Sequence, residues 1–218
     1  PMTVGAKAGH NAEHHNHNDV GNVVVHRGAT SFLADLGAPI YSRRTFSPQR
    51  YESIFCNSFG HNVPVVNGRG QAAGAKHAGT LSAAGLNNPG DRVVTVEMHE
   101  AYDEPRLTRL TRHLTIAGGA ERVELADTFA FAEAPESVEE VFIAILPAEV
   151  VDDGLSVVIR SENDGAARLV AKTPGTFTVS ELPEESAESR RGELIRRIAF
   201  APAELAREMT VRFVLTFG

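Results

Sequence analysis

The run Val123-Glu124-Leu125-Ala126-Asp127 alternates apolar and polar side chains, and Leu107-Thr108-Arg109-Leu110-Thr111-Arg112-His113-Leu114-Thr115 repeats the pattern more loosely. A period near two marks strands with one buried face, whereas helices place apolar residues three and four apart. Further strand-like stretches are Val23 to Val25, Phe32 to Leu36, Val63 to Val66, Arg92 to Met98, Arg122 to Phe131 and Val138 to Leu146. Leu155 to Ile159, Arg168 to Ala171, Phe177 to Val179, Leu194 to Phe200 and Val211 to Phe217 complete the series. Between them stand Asn67-Gly68, Asn88-Pro89-Gly90, Gly118-Gly119, Asp153-Gly154, Asp164-Gly165 and Pro174-Gly175. Such pairs supply the positive φ that tight hairpins demand.

A dozen strands in 218 residues predict an all-β fold, a large two-sheet antiparallel β-sandwich with at most one or two short helices. The chain reads as a single domain over residues 1–218. The helical piece is Pro202-Ala203-Glu204-Leu205-Ala206-Arg207, with proline at a first-turn position. The charged stretch Glu181 to Arg191 reads as a solvated loop. Aromatic residues make up 6% of the chain and tryptophan is absent, so Val, Leu, Ile, Phe and Ala must build the core.

Several function classes fall away. No apolar run approaches the roughly 20 residues of a membrane span, and a net charge of -7 argues against nucleic-acid binding. A polyanionic ligand would need a local basic patch to offset that charge. The single cysteine, Cys56, excludes an internal disulfide framework. The opening Pro-Met-Thr-Val-Gly is already strand-like, which reads as a segment of a longer protein, with an exposed edge available for pairing in a homo-oligomer.

Residues 10 to 20, His-Asn-Ala-Glu-His-His-Asn-His-Asn-Asp-Val, hold His10, His14, His15 and His17 of the nine histidines. Imidazole is the commonest protein metal ligand and titrates near neutrality. A tag-like tract or imidazoles satisfied by backbone carbonyls are the plainer readings. The interruptions by Glu13, Asn16, Asn18 and Asp19 argue against a tag, as does the strand that follows. In extended backbone His15 and His17 would share a face. Asp35 closes an apolar strand, where a carboxylate needs a partner or a metal, although it also suits a turn cap before Gly37. His61 immediately precedes another strand and would more commonly be structural alone. Together His17, Asp35 and His61 stand at the edges of successive strands, a donor set that suits zinc.

The run from Gly9 through His15-Asn16-His17-Asn18-Asp19-Val20-Gly21 resembles the C-terminal domain of heparinase II/III-like polysaccharide lyases. Leu33-Ala34-Asp35-Leu36-Gly37, Tyr41-Ser42-Arg43-Arg44-Thr45-Phe46, Arg50-Tyr51, Gly60-His61-Asn62-Val63-Pro64, Asn67-Gly68 and Gln71 extend the likeness. It covers about the first third of the chain in detail. The resemblance implies a β-sandwich that follows an N-terminal α/α toroid, with an acidic polysaccharide bound between the two. It implies that His17, Asp35 and His61 hold a structural metal, usually zinc. It makes His15 the catalytic-cleft histidine and sets Tyr41, Arg43, Arg44, Arg50 and Tyr51 nearby to bind substrate.

The implied reaction is β-elimination of a uronic-acid polysaccharide. Charge developing on the uronate needs preorganised donors, and the arginines could grip its carboxylates or sulfates in bidentate fashion. The toroid supplies the principal catalytic tyrosine in this family, so the chain alone should show little or no turnover. Periplasmic or secreted location follows from substrate access. A non-catalytic carbohydrate-binding module is one rival, weakened by three tyrosines and no tryptophan. A cupin-type metalloenzyme is another, opening on His15-x-His17 but lacking the glutamate its motif needs. A purely structural sandwich, with His15 inert, is a third.

Overall fold

The computed structural model describes residues 1–87, 89–119 and 121–218; Asn88 of the expected Asn88-Pro89-Gly90 turn lies outside them. Among the described residues the chain begins with β1 (Met2–Ala6), β2 (Gly9–Asn11), β3 (Val23–Arg27) and β4 (Thr30–Leu33). Next come β5 (Val65–Val66), β6 (Gly74–Ala84), β7 (Arg92–Glu97), β8 (Leu107–Ile116), β9 (Arg122–Phe131) and β10 (Val138–Ala144). The last part holds β11 (Ala148–Val151), β12 (Ser156–Ser161), β13 (Gly165–Ala171), β14 (Gly175–Glu181), the one-turn helix α1 (Pro183–Ser186), β15 (Arg196–Pro202) and β16 (Glu208–Phe217).

These strands form a nine-stranded sheet in the order β11-β12-β13-β16-β9-β8-β7-β6-β2. A four-stranded sheet, β14-β15-β10-β5, and a three-stranded sheet, β1-β3-β4, complete the fold. Every strand pair is antiparallel. Register puts Leu114 opposite Leu125 and Leu125 opposite Phe213, so one apolar row crosses β8, β9 and β16. Phe213 meets Phe142, Phe177 and Phe200 at ring centroids of 5.0, 5.8 and 5.2 Å. Phe32 meets Phe217 at 5.0 Å. Both small sheets therefore lie on one face of the large sheet, as sandwich packing requires.

β10 is buried on both faces. Phe142 enters the main core, while Val141 and Ile143 pack with Leu36, Phe55, Cys56 and Val65 in a second one. That explains the continuous apolar run Val141 to Leu146, which a half-buried strand would not need. The segment forming this second layer, residues 36–63, follows the histidine-rich loop and Asp35 in the chain, and it brings His61 back to them.

The all-β expectation holds, with four local corrections. Residues Pro202–Arg207 form no helix. Pro202 is the last residue of β15, where it pairs with Gly175 beyond the reach of β10, so its missing N–H costs no ladder bond. The helix stands instead at Pro183–Ser186, inside the stretch read as loop, where Pro183 and two first-turn glutamates start it. The strand expected over Phe32 to Leu36 ends at Leu33. β6 escaped notice because Gly74-Ala75-Lys76-His77-Ala78-Gly79-Thr80-Leu81-Ser82-Ala83-Ala84 shows neither alternation nor β-branched enrichment.

Candidate metal centre

The loop between β2 and β3 carries the histidines, and amides fold it. Asn16 Nδ2 donates to Asn18 Oδ1 (3.0 Å), and Asn18 Nδ2 donates to the Gln71 carbonyl (3.3 Å). Gln71 Nε2 donates to the Val20 carbonyl (2.6 Å), while its Oε1 accepts from Val20 N (2.9 Å) and Asn11 Nδ2 (3.1 Å). Ser58 Oγ donates to the Asn18 carbonyl (2.7 Å). Lys7 pairs with Asp19. Short polar side chains here replace ladder bonds that the irregular backbone cannot make.

The extended backbone expected through His15 and His17 is not found. His15 has φ +58° and an exposed side chain, so the two rings diverge. The His15 ring stacks on Tyr41, centroids 6.0 Å apart at 10°. His17 turns inward to lie 5.2 Å from the His61 ring. One donor atom from each of His17, Asp35 and His61 falls within 4.8 Å of the others.

Asp35 caps the turn and also finds polar partners: its Oδ1 accepts from Gly37 N (2.6 Å), and its Oδ2 accepts from Asn22 Nδ2 (2.8 Å) while facing His61. His61 is fully buried. Its Nε2 donates to the Phe55 carbonyl at 3.3 Å, which leaves Nδ1 as the lone-pair nitrogen of the neutral ring. Nδ1 lies 3.3 Å from Asp35 Oδ2 but outside hydrogen-bond geometry, and no other group among the described residues satisfies it. In that neutral form two acceptors face one another, and either a proton on Nδ1 or a metal cation would fill the space between them.

Electrostatics agree. Burial, reinforced by the charge of His61, lowers His17 to about 4. For His61 burial also acts downward, but the adjacent Asp35 carboxylate outweighs it and raises this imidazole. Burial alone would raise Asp35; His61, the Gly37 N–H and His17 together hold its carboxyl well below the usual range. Near neutrality His17 is therefore a neutral imidazole and Asp35 a carboxylate, and a metal could take the place of a proton at His61 Nδ1. Two nitrogens and a carboxylate oxygen fit a borderline divalent cation.

The other expected residues divide. Tyr41 lies between His15 and Arg190, whose guanidinium stands 4.2 Å from the ring centroid, with Phe46 edge-on at 5.3 Å. Arg50 Nη2 donates to the Asn16 carbonyl (2.6 Å), and Asn16 Nδ2 approaches Tyr51 Oη at 3.5 Å. These two side chains brace the histidine loop. Arg44 pairs with Glu52 at 3.1 Å. The Arg43 side chain is exposed and has no hydrogen bond or ion pair among the described residues. A cavity of about 290 Å³ opens beside them, lined by Ser42, Arg44, Arg50, Cys56 and Glu188 among others.

Sequence reasoning gave no role to Asn62 and Gln71, named only for the resemblance, and missed Asn22 and Arg190. It also missed a buried trio, Arg112, Asp127 and Glu140, behind the site. The trio carried a signal: each charge stands in phase with core-facing neighbours, Leu110 and Leu114, Leu125 and Phe129, or Val138 and Phe142.

Comparison with solved structures places this fold. A heparinase III superposes with a TM-score of 0.73 at 13% identity, over 98% of this chain and 32% of the other. The heparan sulfate lyase HepC from Pedobacter heparinus gives 0.73 at 11% identity, over 100% and 33%. Another heparinase III gives 0.67 at 15%, over 93% and 30%. The chain therefore spans about a third of the length of these structures. Comparison with curated proteins returns no match. The sequence profile described as "Heparinase II/III-like, C-terminal" matches residues 2–198, so the strands, the histidine loop and the buried cluster above are those of a member of the heparinase II/III-like C-terminal family.

Proposed function

We propose that this chain is the C-terminal β-sandwich of a polysaccharide lyase that cleaves uronic-acid-containing polysaccharide by β-elimination. Family membership and the structural likeness to a heparan sulfate lyase support the class of reaction. The observation that carries the reading is the pairing of two histidines two residues apart: His17 turns into a cation-ready cluster while His15 stays exposed on Tyr41.

Zinc is the metal this donor set suits best. When bound, it would stabilise the histidine loop, a structural rather than chemical contribution. His15 then stands ready to donate to the uronate carboxylate or to pass a proton. Arg190, whose guanidinium stands over the Tyr41 ring, and Arg43, exposed two residues after Tyr41, would bind sugar carboxylates or sulfates. Arg50 and Tyr51 contribute by holding Asn16. An N-terminal α/α toroid of the parent protein would face this edge and complete the cleft, and the parent would be periplasmic or secreted.

A non-catalytic sugar platform is less well supported, because three tyrosines and no tryptophan leave few rings for stacking, and Tyr41 already contacts His15 and Arg190. The cupin reading needs His15 and His17 to ligate together, whereas the two rings diverge. The test is absorbance of the unsaturated product from a uronic-acid oligosaccharide. The parent protein should produce it, its His15→Ala variant should lose at least about a hundredfold in kcat, and the isolated chain should produce none. Undiminished turnover by His15→Ala in the parent would refute the assignment.

A further inference from the structure

Behind the metal cluster, Arg112 has no solvent exposure. Its Nε donates to Asp127 Oδ1 and Oδ2 at 2.8 and 3.1 Å, and Nη2 donates to Asp127 Oδ2 at 2.5 Å and reaches Glu140 Oε2 at 3.4 Å. Sheet register puts Arg112 directly opposite Asp127, so the guanidinium is clamped to rigid strands. Nη1 points out of this ion cluster. It donates to two backbone carbonyls, Gly21 at 2.8 Å and Asn62 at 2.5 Å.

Those carbonyls belong to the two segments that bear the histidines. Gly21 ends the loop carrying His17, and Asn62 directly follows His61. The third ligand joins the same node: Asn62 N and Nδ2 donate to Asn22 Oδ1, and Asn22 Nδ2 donates to Asp35. A buried ion cluster is a weak way to stabilise a core, because apolar residues of like volume do as well or better. An apolar residue could not hold two carbonyls from different loops at one point.

We infer that Arg112 is a positioning residue for the His17–Asp35–His61 centre, fixing the separation of the two histidine-bearing segments without touching the metal. The inference rests on the reading of that cluster as a metal site. Asp127 orients the guanidinium. Glu140, whose carboxyl burial and the neighbouring Asp127 carboxylate push up, completes the cluster. Groups behind metal ligands change affinity by tenfold or more through orientation alone.

The test is a cobalt(II) titration of the metal-free chain, read by visible ligand-field absorption. It compares wild type, Arg112→Lys, and the triple variant Arg112→Met/Asp127→Leu/Glu140→Leu, with thermal melts run in parallel. The triple variant should keep a cooperative melt while its cobalt Kd weakens about tenfold or more and its bands shift. Arg112→Lys, retaining the buried cation but unable to span both carbonyls and Asp127, should fall between. A cooperative triple variant with the wild-type Kd and spectrum would overturn the inference. If the triple variant does not fold, wild-type affinity and spectrum in Arg112→Lys would overturn it equally. Absence of cobalt bands in the wild type would instead refute the metal site itself, and this inference with it.

Discussion

Asn62 binds Asn22 through two donors, its backbone N and its Nδ2 reaching the same Oδ1 at 3.0 and 3.1 Å. The rest of the Asn62 amide is equally occupied: Nδ2 also donates to the Val23 and Ala34 carbonyls, and Oδ1 accepts from Ile143 N. One buried side chain thus ties β3, the segment after β4, and β10 together next to His61. Asn62→Ala strands two carbonyls and an N–H in the core. Chemical denaturation should show a loss of about 3 kcal/mol or more; a loss below about 1 kcal/mol would mean that water or relaxation replaces the amide.

Gly21 has φ +87°, and a β-carbon there would fall 2.1 Å from Met98 Sδ. Met98 is fully buried, so it has little room to move. Gly21→Ala should therefore cost about 2 kcal/mol or more, combining positive-φ strain with overpacking. The same denaturation experiment would contradict this if the variant matched wild type.

Arg50 and Arg43 should separate cleanly. Arg50→Ala removes the donor that holds the Asn16 carbonyl beside His17, and zinc affinity should fall several-fold. Arg43→Ala should leave stability within about 0.5 kcal/mol of wild type, so any loss of oligosaccharide binding would report direct contact. Equal effects of both substitutions on zinc affinity, measured by chelator competition, would dismiss the distinction.

Acid dependence follows from opposed histidines. His17, lowered to about 4 from 6.5, makes the metal-free fold less stable as pH falls from 6.5 toward 4, because the unfolded chain takes up a proton that the folded chain refuses. His61 is raised, so it contributes stability below 6.5 that is lost as pH rises through its folded value. His17→Gln should accordingly lose less stability than wild type between pH 6.5 and 5. Parallel pH profiles would count against the buried, neutral state of His17.

The fold was legible where register and burial coincide. β8, β9 and β16 alternate because one face of each meets the phenylalanine core, and β10 reads as a solid apolar run because it has two cores. β6 was not legible, since small and polar residues along a largely exposed strand leave no period. Pro202 and Pro183 offer the same helix-start signal, and only the partner strand of Pro202 distinguishes them. The His17–Asp35–His61 cluster was legible as three metal-ligand residue types between strands, although each lies in a connecting segment rather than at the strand edge expected for it. The divergence of His15 from His17 was not, because the positive φ at His15 arises in a loop folded by long-range bonds to Ser58 and Gln71. Arg112, Asp127 and Glu140 could have been found as charges in core-facing phase.

The most direct test of this account is metal content by mass spectrometry on the tag-free chain, beside His17→Ala and Asp35→Ala. About one zinc per chain in the wild type, lost in both variants, is the predicted result. A wild-type chain without stoichiometric metal, or variants that retain it, would contradict the assignment of His17, Asp35 and His61 as a metal centre.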